Sequence, residues 1–256
     1  MLAGLTVAVL MLGPAEQSAD TDQQKSIVAR VIENARVYDG RLPNFVCTQV
    51  TRRSEDKSGA GTRWKDNDNY EDELTYFERK EHYRLVKVNG KPAKMTHDQI
   101  RGYRSEGSFG ALLSWVFRPE AHTEFAWERQ DTLRGRPMSV IRYRVPLEHS
   151  HWRASVRGRT VTKAFHGFIW SDAESGAVMR IQAEPEGAGD ESAWINNSSL
   201  DVQYGWAAIA GEQYLLPLMA EARTADKKRL LRNITEYSGF HKYTAEASVK
   251  FEEEKK

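Results

Sequence analysis

The stretch GFIWSDAESGAVMRIQAEPEG, Gly167 to Gly187, decides the fold. As an acidic cluster, its Asp172, Glu174, Glu184 and Glu186 would gather carboxylates around Trp170 and Met179 for acid–base chemistry. As a hairpin, it puts Asp172 and Gly176 where the chain reverses. Asp accepts backbone N–H bonds at the start of a turn, and Gly supplies a positive φ. The flank decides between them. Ala177, Met179, Ile181 and Ala183 fall on one face, with Arg180, Gln182 and Glu184 on the other. That period of two belongs to a strand with one face buried. Glu184 and Glu186 then stand on the solvent side or past the strand end. The stretch reads as a turn between two strands.

The same form recurs outward in both directions. FAWERQDTLRGRPMSVIRYRV (Phe125–Val145) reverses near Arg134-Gly135, with Ile141, Tyr143 and Val145 on one face and Arg142 and Arg144 on the other. Tyr70–Pro92 holds two extended runs and then Asn89-Gly90, a strong hairpin signal. FVCTQVTRR (Phe45–Arg53) alternates, and a polar loop follows to about Asp66. Ser199–Phe240 gives three strands separated by Ala210-Gly211 and Asp226-Lys227-Lys228, with Pro217 marking an edge or a bulge. Two helices interrupt the strands. Thr21 and Gln24 have capping-box spacing ahead of Ile27, Val28, Val31, Ile32 and Ala35, and Gly40 and Pro43 end that segment. Phe109, Leu112, Leu113, Val116 and Phe117 form an apolar stripe stopped by Pro119. The predicted class is α+β: a long antiparallel meander curled into a half-open β-barrel, with the N-terminal helix and the short inserted helix against its concave face.

A chain of 256 residues suffices for one core, and residues 20–256 read as a single domain. The 37 Lys and Arg nearly cancel the 36 Asp and Glu, which predicts no nucleic-acid partner. The basic run Arg153–Lys163 reads as a solvated loop. Met1–Gly13 is uncharged and apolar but shorter than a membrane span. With the small residues of Gly13-Pro14-Ala15 it reads as the core of a signal peptide over residues 1–19, although the first basic residue is Lys25. The expectation is a periplasmic or secreted protein with no stable membrane span after signal removal. Cys47 is the single cysteine and reads as a buried structural thiol; Phe45 and Val46 before it are too bulky for lipid attachment.

No catalytic motif emerges. His149 and His151 would share one side of a strand, but zinc needs three or four ligands and the other histidines are scattered. In DNDNYEDE (Asp66–Glu73) a calcium loop would need Gly where Glu71 stands and Glu where Phe77 stands. There is no G-x-S-x-G elbow, and the glycines of Gly59–Thr62 follow a loop rather than a strand. Neither metal nor cofactor is predicted, and the chain is not expected to be an enzyme.

LPNFVCTQVTRR, SFGALLSWVF, HGFIWSDAESGAVMRI, YLLPLMAEAR and RNITEYSGFHKYTAEASVKFE, in order from Leu42 to Glu252, resemble a family of exported proteins of acidobacterial type that has no assigned activity. More distantly, the helix-first plan and the spacing Trp170, Asp172, Gly176, Arg180 resemble the periplasmic lipoprotein-carrier (LolA-like) superfamily. That resemblance implies a half-open barrel that takes acyl chains against its concave face. Phe109, Leu112, Trp115, Val116, Phe125, Trp127, Ile141 and Tyr143 form the candidate groove. A packed core is the usual fate of such residues. If they line a groove, burying ten methylenes gives about 8 kcal/mol gross, near micromolar affinity before ordering costs. The leading expectation is therefore a binder or carrier of a lipid or lipidated envelope protein. The alternative is an envelope interaction module with a filled interior, and a hydrolase comes third. The oligomeric state stays open.

Overall fold

The computed structural model describes residues 14–78, 80–103, 110–156, 159–187, 197–226 and 228–244. Helix α1 spans Pro14–Arg41 and helix α2 Ala111–Phe117. Among the described residues, eleven strands form one antiparallel sheet: β1 (Phe45–Asp56), β2 (Lys65–Phe77), β3 (Lys80–Val88), β4 (Lys91–Pro92), β5 (Glu124–Leu133), β6 (Arg136–Val145), β9 (Phe165–Asp172), β10 (Val178–Pro185), β11 (Ser199–Ile209), β12 (Glu212–Asp226) and β13 (Arg229–Lys242). Strands β7 (Arg153–Val156) and β8 (Arg159–Thr162) make a separate hairpin.

The sheet order is β4-β3-β2-β1-β13-β12-β11-β10-β9-β6-β5, a meander broken once, where the first strand pairs with the last. Its edges, β4 and β5, do not meet, so the barrel stays half open with α1 at its N-terminal end.

Turn chemistry builds the meander. Asn89 and Gly90 have φ of 50° and 74°, and Arg134 and Gly135 have 52° and 76°. Two successive positive φ values give the twist that matches the flanking strands. Pro217 marks a bulge: the β11–β12 register shifts beside it, and the β12–β13 ladder begins only at Met219. A residue without an N–H is tolerated at such a break.

Two local expectations change. Helix α1 begins at Pro14, so Thr21 and Gln24 lie inside it rather than capping it, and Gly40 falls within its last turn. The run Arg153–Lys163, read as a loop, contains β7 and β8, because Thr160, Val161 and Thr162 favour extended backbone despite the arginines. The apolar stretch Met1–Gly13 lies outside the described residues, and the rest of the 1–19 segment falls in α1.

One row of directly opposed residues crosses the inner face: Trp127, Ile141, Ile169, Ile181, Val202, Ala220, Thr235, Thr51, Tyr70 and Val88. The row changes character midway. From β6 to β11 it is aliphatic and buried in the main core with residues of α1 and α2. From β13 to β2 it is polar, and the Thr51 and Thr235 hydroxyls lie 3.0 Å apart. A segment around residues 93–103 covers this half, with Ile100 packed on Tyr70 and Leu85, and Asn233 Nδ2 donating to the Tyr103 carbonyl at 3.3 Å. Each half is therefore roofed by groups that suit it. Buried hydroxyls and amides need hydrogen-bond partners: the two threonines serve each other, and the covering segment's Tyr103 carbonyl serves Asn233.

Candidate functional site

The opening hairpin is the anchor for α1. Asp172 Oδ1 accepts from the Ser175 N–H at 2.9 Å and the Ser175 hydroxyl at 2.8 Å, and Oδ2 pairs with Arg136 at 2.7 Å. Burial raises the Asp172 pKa, but the Ser175 bonds and Arg136 outweigh it, and the carboxyl sits below its ordinary range. Glu174 and Glu184 are exposed, and Glu186 pairs with Arg144 at 2.7 Å. The four acids therefore do not form a catalytic cluster. The exposed carbonyls of the turn receive α1 instead: Arg30 Nη2 donates to Ala173 O at 2.9 Å and Asn34 Nδ2 to Ser175 O at 2.8 Å. Gly176, at φ 72°, lies so close beneath the helix that a Cβ would fall 2.8 Å from Asn34 Nδ2. Trp170 and Arg180 point to the outer face, where the guanidinium lies 4.6 Å from the indole centroid and Nε donates to Asp201 at 3.0 Å. The Trp170-Asp172-Gly176-Arg180 spacing is thus accounted for by a turn and a cation–π stack.

Further along, Arg36 Nε donates to Phe117 O of α2 at 2.9 Å, and the Tyr38 hydroxyl donates to Leu215 O of β12. The last turns of α1 are thereby held across the gap between the β9–β10 turn and the β11–β12 hairpin. The described residues do not fill the gap. A cavity of about 480 Å³ remains, floored by Ala35, Leu113, Val178 and Leu215. Val37, Tyr38 and Leu42 wall one side, and Ala177 and Tyr214 the other. Asn34, Arg41, Ser175, Trp206 and Gln213 complete the lining. Trp206 is 55% exposed, unusual for so large an apolar side chain. The volume lies within the roughly 300–1,000 Å³ of small-molecule pockets.

The residues of the sequence-predicted groove lie elsewhere. Leu112, Val116, Ile141 and Tyr143 are buried in the core, Trp115 and Phe125 are half-buried against it, and Trp127 is half-buried on the inner row. Phe109 lies outside the described residues. None of the described seven lines the cavity. Their neighbour Leu113 does, while also packing in the main core. The cavity lining comes from four separated segments, and no local pattern in any of them marks it.

Other candidate chemistry is dispersed. His149 and His151 part company: the His149 ring lies 4.1 Å from that of His122, and His151 stacks on Trp115 at 6.1 Å. No group of three or more His, Cys, Asp or Glu suited to a metal occurs among the described residues. Cys47 is buried, and burial, reinforced by Glu81, pushes its pKa up to about 12, so it remains a thiol at neutral pH.

One buried polar pair had not been anticipated. Asp72 is fully buried, and its Oδ1 accepts from His97 Nδ1 at 2.9 Å. The imidazole stacks on Tyr83 at 5.1 Å and meets Tyr70 edge-on at 5.9 Å. Asp72 sits in the acidic run Asp66–Glu73 that fails the calcium-loop pattern. Its strand parity with Tyr70 and Leu74, both buried, was the available signal that it faces inward.

Neither a family model nor a curated protein matches this sequence. Solved structures do. A putative outer membrane lipoprotein-sorting protein domain from Vibrio parahaemolyticus is 6% identical at a TM-score of 0.39, over 84% of this chain and 92% of its own. A DUF1329 family protein from Desulfovibrio piger is 7% identical at 0.39, over 87% and 94%. A LolA superfamily protein from Nitrosomonas europaea is 9% identical at 0.35, over 88% and 96%. At such scores, what the cavity holds must be argued from the chain's own residues.

Proposed function

We propose that the protein is an exported, non-enzymatic binder of a lipid-like chain, held in the cavity beneath the C-terminal half of α1. The single observation that carries this is an apolar space of about 480 Å³ between a helix and a curled sheet that otherwise pack closely. An open apolar hollow forfeits contacts and is costly to keep unless something occupies it. A carrier needs reversible binding, and the micromolar range set by about ten buried methylenes allows release. Export is supported by the apolar stretch Met1–Gly13, and no helix among the described residues is long and apolar enough to cross a membrane. The lipidated end of an envelope protein is the larger cargo that this reading admits.

A displacement titration with a dansyl-labelled fatty acid tests it. Wild-type protein should bind one equivalent saturably. Val37→Trp, which fills the space from the helix side with little change in helix propensity, should weaken binding about a hundredfold, the equivalent of roughly 3 kcal/mol of lost chain burial. An unsaturable wild-type titration, or a variant that binds like wild type, would refute the site.

A further inference from the structure

The cavity has a chemical polarity beyond its apolar character. Among the described residues its lining includes one charged side chain, Arg41, and no acid. The other two arginines in this part of α1 are engaged by carbonyls, Arg30 at Ala173 and Arg36 at Phe117. Arg41 sits in the last turn of α1, exposed, with no hydrogen bond or ion pair among the described residues. The remaining polar lining groups, on Asn34, Tyr38, Ser175, Trp206, Gln213 and Tyr214, are neutral, and Asn34 and Tyr38 already donate to the Ser175 and Leu215 carbonyls.

We infer that the cavity selects a single-chain amphiphile with an anionic head group, its chain against Leu113, Val178 and Leu215 and its head held at the rim by Arg41. This deepens the lipid-binding reading and rests on it. The geometry suits such a molecule because chain and head need opposite surroundings, an apolar floor and a hydrated cation at one mouth. A guanidinium meets a carboxylate or phosphate with two parallel N–H donors, a fork that a neutral or cationic head cannot use. There is a structural reason for an arginine here as well, since a cation near a helix C-terminus offsets the negative end of the macrodipole. That end amounts to about half an elementary charge, less than the whole charge of a guanidinium. The pairing is exposed to water, which limits its strength and makes it sensitive to salt.

Isothermal titration of the full chain with laurate and with dodecyltrimethylammonium, both below their micellar concentrations, separates chain from head. Laurate should bind about tenfold tighter at low ionic strength, with the ratio shrinking as salt is added. Arg41→Gln should bring the two affinities together, chiefly by weakening laurate, with at most a small drop in thermal melting, and Arg41→Lys should keep part of the preference. Dodecyl phosphate in place of laurate distinguishes a carboxylate site from a general anion site. A phosphate that binds at least as tightly as laurate assigns the selectivity to charge, and one that binds no better than the ammonium assigns it to carboxylates. Equal binding of laurate and the ammonium by wild type would overturn the head-group assignment while leaving the cavity reading intact. Binding of neither would overturn both.

Discussion

Gly167→Ala is expected to leave little or no folded protein. Gly167 lies on the inner face of β9, between Tyr143 of β6 and Ala183 of β10. The Tyr143 ring lies across it, and its hydroxyl donates to the Gln182 carbonyl of β10 at 2.8 Å. A Cβ on residue 167 would overlap that carbonyl and approach the ring at 3.1 Å. Neither neighbour can yield cheaply. The carbonyl belongs to the β9–β10 pair that ends in the helix-anchoring turn, and Tyr143 is fully buried with its pKa well above the ordinary value because burial disfavours the phenolate. Ordinary overpacking of a core costs about 1–3 kcal/mol. A backbone overlap in the middle of the sheet should exceed about 3 kcal/mol, a large fraction of the total stability of a domain. Urea denaturation, or the yield of soluble protein, reads the effect. A variant within about 1 kcal/mol of wild type would mean that Tyr143 does not lie over this strand.

The second large effect lies in the polar half of the barrel. His97→Ala removes the imidazole that serves Asp72, whose other carboxylate oxygen, Oδ2, is buried without a hydrogen-bond partner among the described residues. Leaving a buried carboxylate uncompensated costs roughly 3 kcal/mol. The covering segment around residues 93–103 should loosen too, because His97 joins Ile100 in holding it to β2 and β3. Asp72→Asn in the same chain should recover most of the loss, since no charge then remains to be paired. A double-mutant cycle measures the coupling, and an interaction below about 0.5 kcal/mol would show that water has replaced the pair.

These positions also mark what could be read from the sequence. The hairpin turns were legible because Asn89-Gly90, Arg134-Gly135 and Asp172–Gly176 carry their own backbone chemistry, and the helical stripe of α1 was legible from Val31 and Ala35. Such signals are local. The pairing of β1 with β13 was not legible, since Thr51 and Thr235 stand 184 residues apart and threonines carry no register information. The aromatic cluster around α2 was visible as apolar, and its described members lie in or against the core or along the inner row. The cavity depends on how far α1 sits from the β11–β12 hairpin, a distance set by the Arg30, Asn34 and Tyr38 anchors to backbone carbonyls. Carbonyls have no letter in a sequence.

The central claim is that the hollow under α1 exists to be occupied by an oily chain. Mass spectrometry of organic extracts from natively purified protein tests it most directly. Recovery of an aliphatic amphiphile near one equivalent per chain, lost in Val37→Trp, is the expected result. Extracts from wild-type protein free of any such molecule, at a sensitivity well below one equivalent, would contradict it.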